Sequence, residues 1–225
     1  MKIGIDIGGS HIAVSLIEDD GKIINKLEED IKKQENAKEY IVNYVEKAIK
    51  KLSKNAFIDK IGIAVPGDPE NYIVKNLVNL NIKEIDFSYL LEKYNTCVNV
   101  INDAKAAGLA EKNIGALKEY KDCVFLCLGT GIGGAVFLNN NLLKTNRGAG
   151  FELGHMVIDK NGTRCNCGKI GCFETCCSIK RFKSKIRNIL EKIYGDKYGL
   201  DKSVVLKQLL YQNLENEEIK EIVGN

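Results

Sequence analysis

Four residues in the second half of the chain carry the clearest chemistry: His155, Cys165, Cys167 and Cys172, spaced H-x9-C-x-C-x4-C. Three thiolates and one imidazole make a closed tetrahedral donor set that suits a structural Zn²⁺ and leaves no position open for a catalytic water. Gly168 and Gly171 allow the sharp turn such a set requires. The alternative is a reduced, metal-free cluster. Glu152 precedes His155 by three residues and Glu174 follows Cys172 by two, so zinc would hold both carboxylates on one rigid loop. Acceptors fixed this way suit a polyhydroxylated ligand, to which His155 can offer its second ring nitrogen. Either glutamate can equally be a solvated surface charge. Cys176 and Cys177 fall outside the ligand pattern and read as helix residues, while Cys97, Cys123 and Cys127 sit in strand-like runs and are expected to pack as small hydrophobes.

Two glycine turns form a second constellation. Asp6-Ile7-Gly8-Gly9-Ser10 places a carboxylate at a strand end and bare backbone N–H groups in the turn, where a phosphate can approach and Asp6 can hold Mg²⁺ through water. Gly129-Thr130-Gly131-Ile132-Gly133-Gly134 repeats the logic with a threonine hydroxyl as a further donor. The plain reading of either is a hairpin turn that needs positive φ. Found twice at the heads of two α/β halves, the pair reads as a clamp that holds one polyphosphate from both sides. Asn102-Asp103 lies where a strand ends and a helix begins, so Asp103 is either the helix cap or a general base that takes the proton of a hydroxyl attacking a γ-phosphate. The Asn102 amide would then fix the same hydroxyl.

The elements that must position these groups follow from periodicity. Lys2 to Ile7, His11 to Glu18 and Lys22 to Leu27 read as strands, with Asp19-Asp20-Gly21 as a hairpin signal. Ile41, Val45, Ala48, Ile49 and Leu52 recur at helical spacing and predict a helix over 37–51. Ile61 to Val65 is a buried strand, an irregular stretch follows, Cys97 to Ile101 is a strand, and a small-residue helix runs to Ile114. The pattern restarts with strands at Cys123 to Leu128 and Ala135 to Leu138, an apparent internal duplication. Helices are expected near Ile179 to Ile193 and Lys202 to Leu210, then a charged tail after Glu215. The reading is an α/β protein with domains 1–115 and 116–225.

Composition sets the limits. The 225 residues are 44% hydrophobic and 28% charged, with Lys+Arg 33 against Asp+Glu 30 and a net charge of +3. That mixture fits a globular protein and excludes disorder and collagen-like repeats. The longest apolar stretch, Cys123 to Leu143, is broken by glycines and asparagines, so no membrane partner is expected, and with no signal peptide the expected location is cytoplasmic. Five of the eight cysteines crowd into Cys165 to Cys177, which there reads as metal binding before disulfides. The near-balanced charge gives no basic stripe, so nucleic acid is not expected as a partner.

Taken in order, Asp6 to Ser10, Asn102-Asp103, Gly129 to Gly134, Glu152-Leu153-Gly154-His155 and Cys165-Asn166-Cys167-Gly168-Lys169-Ile170-Gly171-Cys172-Phe173-Glu174 resemble the ROK family of repressors, open reading frames and kinases. The resemblance covers Met1 to about Ser178. It implies the actin/hexokinase-like (ribonuclease H-like) fold, two α/β domains with ATP in a cleft, and phosphorylation of a sugar hydroxyl. Asp103 then resembles the catalytic base, and Asn102, Glu152, His155 and Glu174 resemble the sugar contacts. Gly67 and Asn79 fall where such kinases place further substrate-side residues. Asp6, Gly8, Gly9, Ser10, Gly129, Thr130, Gly131 and Gly133 correspond to the ATP and Mg²⁺ contacts, and His155, Cys165, Cys167 and Cys172 to the zinc ligands. Family repressors carry a helix-turn-helix ahead of the first hairpin, which here begins at residue 3, so the resemblance points to the kinases. Family kinases also continue into further strands, and none is legible between Ser178 and Asn225. An open sheet edge with exposed apolar surface is therefore expected. The function implied is ATP-dependent phosphorylation of a hexose, with glucose foremost and a homodimer compatible. The competing reading is a non-catalytic sugar-binding protein or inactive fragment. His11 is assigned no role.

Overall fold

The computed structural model describes residues 1–31, 36–54, 56–67, 69–77, 80–144, 151–195 and 203–223. They fall into two compact units, one of Met1–Phe125 with Gly134–Phe151, the other of Leu126–Gly133 with Glu152–Asn225.

The first unit is built on a five-stranded sheet in the order β3-β2-β1-β4-β8, with β1 at Lys2–Ile7, β2 at His11–Ile17, β3 at Ile23–Asp30, β4 at Lys60–Val65 and β8 at Cys97–Asn102. The pairs β1–β2 and β2–β3 are antiparallel, whereas β1–β4 and β4–β8 are parallel. The parallel crossover after β3 is made by helix α1, Ala37–Ser53. Its apolar stripe, Ile41, Val45, Ala48, Ile49 and Leu52, is buried as the spacing predicts. Each such large aliphatic removed from water contributes about 1.5–3 kcal/mol. Lys54 ends the helix in the left-handed conformation, with its N–H on the Lys50 carbonyl.

The stretch expected to be irregular is instead a second sheet. Strands β5 (Pro69–Glu70), β6 (Ile73–Leu77) and β7 (Ile82–Asp86) pair antiparallel, and helix α2 follows at Tyr89–Tyr94. Val74, Leu77, Ile82, Ile85 and Phe87 join the core of the five-stranded sheet. Asn71 and Asn81 take positive φ in its connections, a conformation that asparagine tolerates better than most residues.

Helix α3, Asp103–Ile114, follows β8 directly. A third sheet, in the order β11-β10-β9, is formed by β9 (Cys123–Leu128), β10 (Ile132–Leu138) and β11 (Asn141–Leu142). Gly108 of α3 makes room for Ala135 and Phe125, so one face of this sheet packs on the helix. Val124, Leu126 and Leu128, spaced by two along β9, point the other way and are exposed. With β9 at the sheet's edge among the described residues, the anticipated open edge and apolar surface are present.

The second unit carries a 3-10 turn at Leu153–His155, the short helix α4 (Phe173–Cys177) and helices α5 (Ile179–Tyr194), α6 (Ser203–Gln212) and α7 (Glu217–Val223). Ile186, Ile189 and Leu190 of α5 meet Leu206 and Leu209 of α6 and Ile219 of α7 in a separate core. The charged tail is thus a helix, opened by Asn216, whose Oδ1 accepts from the Ile219 N–H at 3.3 Å. No described strand follows Ser178. Among the described residues no helix is long and apolar enough to cross a membrane.

Candidate functional site

The four predicted ligands converge. A ring nitrogen of His155 and the sulfurs of Cys165, Cys167 and Cys172 all lie within 4.8 Å of one another. Cys165 Sγ is 3.6 Å from His155 Nδ1, and Cys167 Sγ is 3.5 Å from Cys172 Sγ. Tetrahedral Zn²⁺ with bonds of ordinary length separates sulfur from sulfur by about 3.8 Å and sulfur from nitrogen by about 3.6 Å, so the set fits that ion. The loop is tied locally, by the Cys165 N–H on the Lys169 carbonyl, the Gly168 N–H on the Cys165 carbonyl and bridges pairing Val157 with Cys172 and Arg164 with Ile170. Gly168 and Gly171 take φ of +91° and +71°, and a side chain at Gly171 would strike the Asp159 carbonyl. Burial pushes the Cys165 thiol up to about 12 and raises Cys172, while the Lys169 backbone N–H lowers Cys167. Metal binding must therefore displace protons from the two raised thiols. Cys176 and Cys177 belong to α4 and stand outside the cluster, as expected. Cys97 and Cys127, by contrast, are exposed and Cys123 is half-buried: Cys97 opens β8, and Cys123 and Cys127 lie on the Phe125 face of β9, to either side of the position that packs on α3.

Glu174 sits on the inner side of this loop. Its Oε1 is 3.3 Å from Cys165 Sγ and 3.8 Å from His155 Nδ1, and its Oε2 accepts from the Ile132 N–H at 3.4 Å. Glu152 is exposed, immediately before the 3-10 turn that carries His155.

In the second glycine turn the Gly129 N–H meets the Gly131 carbonyl at 2.9 Å, and Thr130 is exposed. Neither Gly129 nor Gly131 needs positive φ; a Cβ at Gly131 would instead lie 2.5 Å from Glu174 Oε2. The first turn obeys the same rule with another occupant. Gly8 also avoids positive φ, its N–H meets the His11 carbonyl at 2.8 Å, and a Cβ there would run into the His11 ring. Gly9 and Ser10 are exposed at its tip, with the Ser10 carbonyl accepting from the Ile31 N–H. Gly8 and Gly131 are required for close approach, which replaces the positive-φ reading there.

His11 has a partner after all, since its Nε2 lies 3.4 Å from Asp6 Oδ2. The pairing was latent in the register: Asp6 stands opposite Ala13, which puts His11 diagonally across on the same face. For the contact between Glu174 and Ile132, 42 residues apart, no local signal existed.

Asn102, not Asp103, caps α3. Its Oδ1 accepts from the Lys105 N–H at 3.1 Å, and its Nδ2 donates to the Gly67 carbonyl at 3.0 Å. Gly67 has a φ of +95°. Asp103 is the first helical residue, exposed, with Oδ1 on the N–H of Ala104 at 2.8 Å. Asn79 lies outside the described residues.

The family model described as "ROK family" matches residues 2–222. The chain belongs to the ROK family. Among curated ROK relatives, a glucokinase of Thermotoga maritima is 37% identical over 86% of the chain and 62% of its own length. A xylose repressor of Bacillus spizizenii is 32% identical over 85% of the chain and 51% of the repressor. The chain thus spans between half and two thirds of the length of these relatives. Among solved structures, a ROK glucokinase from Streptomyces griseus in complex with glucose and AMPPNP aligns with TM-score 0.73 at 23% identity, covering 98% of this chain and 73% of that one. A ROK transcriptional regulator, a homologue of the E. coli MLC protein, aligns with TM-score 0.81 at 21% identity, covering 98% and 58%. The fold is the α/β, actin-like fold of ROK proteins, matched over part of their length.

Proposed function

We propose that this ROK chain is an ATP-dependent hexose kinase, with glucose the first candidate and a cytoplasmic, possible homodimeric protein as its setting. The reading rests on Asp103. Asn102 caps α3, and beside it the exposed carboxylate of Asp103, whose Oδ1 meets the Ala104 N–H, stands at the strand-to-helix junction, which supports the general-base reading. The glucokinase of Thermotoga maritima supports the substrate class.

In this proposal the lobes 1–115 and 116–225 contribute one glycine turn each to the ATP phosphates. Gly8, Gly9, Ser10, Gly129, Thr130, Gly131 and Gly133 offer backbone and hydroxyl donors to the phosphate oxygens. Asp6 would hold Mg²⁺, an ion that would neutralise charge on the phosphates. The sugar meets Gly67, Asn79, Asn102, Glu152, His155 and Glu174, with His155 keeping Nδ1 for zinc and presenting Nε2 to a hydroxyl. Asp103 orients that hydroxyl and accepts its proton as it attacks the γ-phosphate. The zinc is structural.

ADP release with Mg·ATP across glucose, fructose, mannose, allose, N-acetylglucosamine and N-acetylmannosamine tests the reading. One sugar should stimulate release, and Asp103→Asn should lower the rate by about 10²–10⁴, the usual contribution of a positioned base. Near-normal turnover in Asp103→Asn removes the assigned role. The xylose repressor among the relatives favours a second reading, a sugar-binding protein without catalysis. It predicts sugar-dependent stabilisation with no ADP released.

A further inference from the structure

Glu174 links two pieces of the second unit that are far apart in sequence. One carboxylate oxygen faces the four-ligand set, and the other receives the N–H of Ile132 inside the glycine turn. The fit around it is specific. Gly131 has no side chain where Oε2 sits, and Gly154 has none where the 3-10 turn lies against the Ile132 carbonyl. The other end of the turn is held too, the Gly129 carbonyl accepting from the Ile179 N–H at 3.1 Å as α5 begins.

We propose that Glu174 is a positioning residue that joins the metal loop to the turn Gly129–Gly133, so that metal loading sets the aim of the turn's N–H groups. The consequence for nucleotide rests on the phosphate reading of that turn; the mechanical link does not. Oε1 lies against the ligand Cys165 while Oε2 holds the Ile132 N–H. An ion gathered by the four ligands would fix Cys172 and the start of α4, and with them the backbone that carries Glu174; without it that anchor is lost. The two oxygens share one planar group, so a displacement on the metal side reorients Oε2 and the Ile132 N–H it holds. A glutamine could still accept from the Ile132 N–H and turn its amide N–H toward a metal-bound sulfur, so alanine, which removes both contacts, is the informative substitution.

Hydrogen exchange on the full chain, with zinc, after chelation and after zinc is restored, tests the link. Chelation should speed exchange across residues 126–134 by about tenfold, reversibly, with α5–α7 still protected. Glu174→Ala at stoichiometric zinc should exchange there like the chelated protein. Gly131→Ala, which displaces Oε2 without touching a ligand, should do the same. Should chelation unfold α5–α7 as well, the two zinc-loaded variants decide. Unchanged exchange at 126–134 in both variants overturns the proposal. For nucleotide, calorimetry should show Mg·ADP binding weakened about tenfold by Glu174→Ala, with hexose binding weakened less. The reverse order makes Glu174 a sugar contact alone and overturns the link. If the zinc-loaded wild type binds no Mg·ADP while the exchange coupling holds, the phosphate reading fails and the link stands.

Discussion

The two glycine turns are spelled alike, yet they are held in different ways. At Gly8 the space is filled by His11, three residues on in the same hairpin, and the turn is carried by a β1–β2 ladder of six residue pairs. At Gly131 the space is filled by Glu174, from a loop whose four ligands must themselves be gathered. The first turn is therefore local and self-supporting, whereas the second depends on distant chain and on a metal. A phosphate-binding motif gives the donors; what packs behind it decides how firmly they are aimed.

The largest expected contrast comes from the metal. Cys172→Ser should leave less than about a tenth of a zinc per chain and disorder the loop, since structural zinc contributes on the order of 10 kcal/mol in such sites. Metal analysis together with exchange at 126–134 and at 8–10 reads the outcome, and only the former segment should respond. Acid should act the same way. Two of the thiols are raised by burial, so protons compete with metal, and zinc retention should fall as pH is lowered. Loss of protection at both turns together would abolish the contrast.

Next in size is the core of the helical unit. Leu190 is fully buried among α5, α6 and α7, and Leu190→Ala should cost about 2–5 kcal/mol in denaturant unfolding followed at that unit. The glycines themselves come after. Gly131→Ala should cost about 1–3 kcal/mol because the methyl meets a carboxylate engaged at both ends. Gly8→Ala should cost less, because the half-exposed His11 ring can swing aside. The smallest effect belongs to His11→Ala, which removes an exposed pair with Asp6 and should change stability by less than about 1 kcal/mol.

How much of this was legible in the sequence followed from the range of each signal. Helix α1 and strands β1, β2, β4 and β8 repeat an apolar pattern matched to their own period, so they were readable without their neighbours. The zinc set was readable because its spacing and chemistry are local to one loop. The β5–β7 sheet was missed because its turns use asparagines in the left-handed region and its first strand is two residues long. Helix α7 was masked by its charges, although Ile219 and Ile222 stand three apart on the face that packs. Cys97 and Cys127 were misplaced because a strand run alone does not say how far along a face its neighbours reach. The division of labour at Asn102-Asp103 lay beyond the sequence, since both residue types cap helices and only the backbone decides which one does.

The most direct test is detection of the product itself. The chain, zinc-loaded, is incubated with Mg·ATP and the hexose that stabilises it most, and the sugar is examined by ³¹P NMR and mass spectrometry. A sugar monophosphate formed by the wild type and absent with Asp103→Asn is the predicted result. A hexose that binds both proteins and is recovered unphosphorylated from each would contradict the account and leave a sugar-binding protein in its place.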